Sequence, residues 1–190
     1  MNENKSLKPM LIVVASVALL AGLWLGFLTQ QNKTATPPEI YCTLLPVAKP
    51  LTTFHLLNKN NQTFTEQNLR GNWSLIFVGY THCPDICPTT LTSLQQTMEL
   101  MQSQAIALPK VIFISIDPAR DTADVLAKYV SYFNKDFIGV TGSDAELKNI
   151  TTQVAVYYRK AAGASGDINN QDYLMDHSAA LMLINPQAEL

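Results

Sequence analysis

Trp73-Ser74-Leu75-Ile76-Phe77-Val78 runs into Gly79-Tyr80-Thr81-His82-Cys83-Pro84-Asp85-Ile86-Cys87-Pro88, and the fold is decided in these residues. The first six are apolar, with β-branched and aromatic side chains, as in a central strand buried on both faces. From Thr90 to Met101, Leu91, Leu94, Met98 and Met101 recur at helical spacing. The two cysteines therefore fall where a strand ends and a helix begins. That edge of an α/β sheet, outside the carboxyl ends of the strands, is where ligands bind.

Further elements follow the same rhythm. Lys110–Ile116 (KVIFISI) reads as a second buried strand, and Asp121 or Thr122 can cap a helix to about Phe133 with Val125, Leu126 and Tyr129 on one face. Phe137–Val140 makes a third strand, Ser143 caps a helix to about Val154, and Val156–Arg159 is extended. After a Gly- and Asn-rich loop (Gly163–Gln171), Ala179–Ile184 reads as a last buried strand. Strands alternating with helices of this length predict an α/β domain over 51–190 with helices on both sheet faces.

Upstream, Met10–Leu28 (MLIVVASVALLAGLWLGFL) carries no charge. As a helix it would span about 28 Å, close to the hydrocarbon thickness of a bilayer. It is longer than the apolar core of a signal peptide, and Thr34-Ala35-Thr36 is a poor cleavage site. Cys42, preceded by Glu39-Ile40-Tyr41, does not suit a lipid attachment. Lys5 and Lys8 before the run outweigh Lys33 after it. The expected arrangement is a cytoplasmic N-terminus (1–9), a single transmembrane anchor (10–28), a proline-bearing tether (29–50) and a domain outside the inner membrane, on the periplasmic or other extracytoplasmic side. Of the 190 residues, 13 are Lys or Arg against 15 Asp or Glu, and no basic block occurs; a nucleic-acid partner is excluded on this basis.

Cys83 and Cys87 stand four apart, a spacing that puts both on one face of a helical turn. Their sulfurs can share a metal ion or form a disulfide, and the spacing alone does not decide. A structural bridge closing so short a loop would stabilise little. A thioredoxin-type redox pair prefers C-x-x-C. Structural zinc wants four ligands, whereas Cu(I) accepts few, favouring thiolates and tolerating imidazole. The helix N-terminus is expected to lower the thiol pKa values. Among the histidines, His55 suits a structural role and His82 a local one, while His177 precedes the last strand as a loop residue. Nothing in the residues alone brings His177 to the cysteines.

Apolar anchor, tether, F-V-G-Y-T-H-C-P-D-I-C-P (Phe77–Pro88), S-I-D-P-A-R-D-T (Ser115–Thr122) and the late Asp176-His177-Ser178 together resemble the Sco/SenC family of copper proteins. The resemblance implies a thioredoxin-like fold and copper held by Cys83, Cys87 and His177. It implies a metallochaperone that delivers Cu(I) to the dinuclear copper site in subunit II of cytochrome c oxidase, with other copper chaperones or thiol reductants as further partners. The alternative is a thiol–disulfide reductase that keeps that subunit's cysteines reduced, using Cys83 and Cys87 as its redox pair; Cu(II) is a second possible cargo. A peroxiredoxin-like peroxidase is a weaker third reading. Asp176 could orient His177 from behind, and Asp85 suits the helix dipole. Arg120 and Asp121 are expected to pair or to cap. Family members continue beyond Asn185-Pro186 into another strand and a closing helix, so a C-terminus at Leu190 reads as truncated.

Overall fold

The computed structural model describes residues 7–31 and 42–190. The chain divides into two compact units, 1–44 and 45–190. In the first, α1 (Leu7–Gln31) takes up the apolar run, and its residues 11–26 are all exposed. Among the described residues no helix is long and apolar enough to cross a membrane. The side chains described in α1 are those of 11–26, fewer than the roughly 20 that a span needs. Residues 1–6 and 32–41, which hold most of the expected cytoplasmic terminus and nearly half of the expected tether, lie outside the described residues.

The second unit is built on a four-stranded sheet in the order β5-β4-β3-β8, comprising β3 (Ser74–Gly79), β4 (Lys110–Ser115), β5 (Ile138–Val140) and β8 (Leu181–Ile184). β3, β4 and β5 are parallel, and β8 closes against β3 in the opposite sense. Side chains alternate between the faces of a strand, so one sheet serves two cores. Ile76, Val78, Ile112 and Ile114 face one, covered by Leu147 and Ile150 of α4 (Asp144–Gln153) and by Phe54, Leu56 and Phe64. Phe77, Val111 and Phe113 face the other, covered by Leu91, Leu94 and Met98 of α2 (Ile86–Ser103) and by Leu126 and Val130 of α3 (Ala123–Phe133). Helices therefore lie on both faces, as the alternation predicts, and the arrangement is a thioredoxin-like α/β fold.

A short hairpin, β1 (Leu56–Leu57) with β2 (Thr63–Phe64), precedes the sheet, and a second joins β6 (Tyr158–Ala161) to β7 (Leu174–His177). Residues 49–51 and 188–190 are zipped together by Lys49 N–H to Leu190 O (2.8 Å), Leu190 N–H to Lys49 O (2.9 Å) and Leu51 N–H to Ala188 O (3.0 Å).

Three details differ from the sequence pattern. The buried stripe of α3 is Leu126 and Val130, with Tyr129 partly buried beside them and Val125 39% exposed; the cap is Thr122, not Asp121. β8 is not buried throughout: Met182 and Ile184 face the core while Leu181 and Leu183 are exposed, since an antiparallel strand at the rim has one covered face. His177 is not in a loop; it is the last residue of β7, whose sequence Leu-Met-Asp-His has no apolar run to announce a strand.

Candidate metal centre

β3 ends at Gly79, and the chain must turn tightly to begin α2 at Ile86. Gly79 is required by that approach: a Cβ there would sit 2.7 Å from Cys87 Sγ and 2.8 Å from the Phe113 ring. The turn is fastened from below by Asp121, fully buried, whose carboxylate accepts the Thr81 N–H, the Thr81 hydroxyl and the Ser115 hydroxyl. Arg120 and Asp121 neither pair nor form a cap. Arg120 reaches back to Asp117, leaving Asp121 free to span the forty positions to Thr81.

Cys83 lies in the turn itself and Cys87 is the second residue of α2. The Asp85 side chain makes no capping bond; its carboxylate accepts from the Thr89 hydroxyl instead, 3.3 Å away. The Cys83 sulfur fills the gap by accepting the Cys87 N–H at 3.4 Å, one of the N–H groups that a helix start leaves unpaired. Pro88 follows in the first turn, where a missing N–H costs nothing.

The third donor arrives on β7. His177 Nε2 stands 3.7 Å from Cys87 Sγ. Its Nδ1 lies 3.1 Å from the Ser178 carbonyl, which can only accept, so Nδ1 carries the proton and Nε2 turns its lone pair toward the sulfurs. Tyr80 and Phe77 meet the imidazole edge-on, at centroid separations of 6.1 and 6.5 Å. Asp176 does not support the ring. Neighbouring strand residues point to opposite faces, and its carboxylate takes Arg159 at 3.0 Å on the exposed side of the hairpin. His82 and His55 are elsewhere, beside Asp121 and Glu146 respectively.

Ligand atoms of Cys83, Cys87 and His177 all lie within 4.8 Å of one another. A three-coordinate ion with bonds of about 2.3 Å to sulfur and about 2.0 Å to nitrogen would separate its donors by about 3.7–4.0 Å. The spacing fits such an ion with only small adjustments. A structural zinc site lacks its fourth donor among the described residues.

The helix N-terminus does not lower the Cys87 thiol. Burial pushes it well up, the nearby Cys83 adds to the rise, and the hydrogen bond from the Tyr80 backbone opposes it only in part. At 0% exposure, loss of hydration outweighs the helix dipole. A metal ion binding there displaces a proton. Tyr80 is raised for the same first reason, burial, with the Met175 backbone and Arg120 pulling the other way.

The family model described as SCO1/SenC matches residues 46–190. A "SCO2-like protein" of Rickettsia felis is 35% identical over 178 residues, covering 92% of this chain and 83% of its own. Among solved structures, Arabidopsis thaliana ScoI with copper bound is 35% identical at a TM-score of 0.66, covering 73% of this chain and 84% of its own. Yeast Sco1 with copper bound is also 35% identical at 0.66, covering 75% of this chain and 77% of its own.

Proposed function

The chain belongs to the SCO1/SenC family, and from that premise we propose that it carries Cu(I) on Cys83, Cys87 and His177. One observation carries the reading: two free cysteines and one imidazole, from the turn, α2 and β7, converge within 4.8 Å. Two thiolates and an imidazole are the donors that Cu(I) favours, and similar proteins of known structure hold copper. We further propose that the uncharged run Met10–Leu28 anchors the protein in the inner membrane with 45–190 on the extracytoplasmic side. Its cargo is then destined for an extracytoplasmic acceptor, the dinuclear copper site of a cytochrome c oxidase subunit II.

The test is an anaerobic Cu(I) titration of the full chain in detergent against a chromogenic chelator. One equivalent should bind tightly, and Cys83→Ser, Cys87→Ser and His177→Ala should each weaken it. A second reading, reduction of the oxidase subunit's cysteines, is favoured by the same paired free thiols. It replaces the first if His177→Ala leaves Cu(I) binding unchanged while the two cysteines still exchange disulfides, because dithiol exchange needs no imidazole.

A further inference from the structure

His177 is delivered from a hairpin, and the twelve-residue connection before it, 162–173, would be a poor support if it were held only by itself. A side chain from the turn that follows β4 reaches into it. Arg120 donates through Nη1 to the carbonyls of Gln171 and Tyr173, both at 3.0 Å. Its Nε bonds Asp117, and its guanidinium carbon lies 3.6 Å from the centre of the Tyr173 ring. The Tyr173 hydroxyl returns to the same Asp117, donating at 2.6 Å. Arginine, aspartate and tyrosine thus close a ring of contacts, with Arg120 only 10% and Asp117 3% exposed. Arg120 Nη2 is buried without a hydrogen-bond partner, and the guanidinium leans 5.8 Å from the Tyr80 ring that in turn abuts His177. The connection is itself tied off, since Asp172 accepts both the N–H and the hydroxyl of Ser165, at 2.6 and 2.7 Å. A grip on Gln171 and Tyr173 is therefore passed along β7 to His177, four residues on.

We propose that Arg120 is the positioning residue for His177: by clamping Tyr173 and Gln171 to Asp117, it sets β7 so that the imidazole faces the two sulfurs. The inference rests on the copper reading for its functional consequence but not for its structural content. Only a planar fork can bond a carboxylate and two carbonyls while stacking on a ring, so lysine is not a substitute. The same five-residue segment, 117–121, then holds both halves of the site, Asp121 the thiol turn and Arg120 the histidine strand.

The full chain in detergent would be compared with Arg120→Ala, Arg120→Lys, Tyr173→Phe and His177→Ala. In the metal-free proteins, amide hydrogen exchange should quicken about tenfold or more at 173–178 in Arg120→Ala, with the amides of α2, β3 and β4 unchanged. Arg120→Lys should resemble it, and Tyr173→Phe should show a smaller effect in the same residues. For Cu(I), Arg120→Ala should weaken binding by a factor approaching that of His177→Ala, and the double variant should be no weaker than His177→Ala alone. Copper X-ray absorption of Arg120→Ala should show the nitrogen donor lost and both sulfurs kept. Unchanged exchange at 173–178, or a uniform rise across the whole unit, overturns the proposal, as does full rescue by lysine. If His177→Ala does not weaken Cu(I) while the local exchange effect persists, the copper reading fails and the positioning role stands.

Discussion

The two halves of the site are secured in different ways. The thiol turn sits on the end of the central strand, tied to a fully buried carboxylate by three donors, with Cys87 pressed against a glycine that leaves no spare room. The histidine rides on a hairpin whose outer face is solvent, where Arg159 and Asp176 pair at 67% and 52% exposure. One half is fixed by the core and the other by its hairpin pairing and by the Arg120 clamp at its root. The comparison teaches that the sulfurs are the permanent part of the site, while the imidazole is the donor whose placement can be altered without unmaking the fold.

That contrast can be broken most forcefully at Asp121. Asp121→Ala strands three donors and should cost about 3 kcal/mol in a denaturant titration, with exchange quickening first at 80–87. Equal quickening at 173–178 would mean that the halves are not separately secured. Gly79→Ala forces a methyl group against Cys87 Sγ and Phe113 and should cost about 2 kcal/mol. It should also displace the sulfur, weakening Cu(I) binding while the hairpin amides keep their protection.

Alkaline titration sharpens the other half. Burial, reinforced by the hydrogen bond to Asp117, pushes Tyr173 up to about 12 from the ordinary 10.0. The raised value means that folding favours the neutral phenol. The stability it contributes is complete below pH 10 and is lost as pH rises from there through about 12. Burial also raises Tyr80, Tyr129 and Tyr158, so ultraviolet titration should find one fewer late-ionising tyrosine in Tyr173→Phe than in the unaltered chain. The smallest effect belongs to Asp176→Ala. An exposed ion pair contributes about 0–1 kcal/mol, and neither the melting midpoint nor Cu(I) affinity should move measurably; a clear loss of affinity would give Asp176 a role at His177 after all.

Much of this molecule can be read before it is seen. β3, β4 and α2 are legible because parallel strands buried on both faces read as apolar runs and α2 keeps its period. The cysteines announce themselves by standing at the junction. The histidine does not: β7 is short, its four residues are mixed in character, and its partner β6 lies beyond a long polar connection, so only the family resemblance joins His177 to the cysteines. The role of Asp121 is hidden for a related reason. Its partners at Thr81 and Ser115 are set by strand register, and a local pairing with Arg120 is what adjacency suggests. Thr122 rather than Asp121 caps α3, because the Asp121 carboxylate is committed to Thr81 and Ser115.

The zipper between residues 49–51 and 188–190 bears on how the unit withstands force. Any tug arriving along the chain ahead of Lys49 meets those antiparallel hydrogen bonds first, backed by Thr52 N–H and Lys49 Nζ bonding to Gln153. They lie beside the start of β3, where Gly71 N–H bonds Pro186, whereas the cysteines lie beyond its far end, about 20 Å away at the rise of a six-residue strand. Load is thus taken up at the pole opposite the donors, and a pull on the chain ahead of Lys49 leaves the two cysteines mechanically quiet.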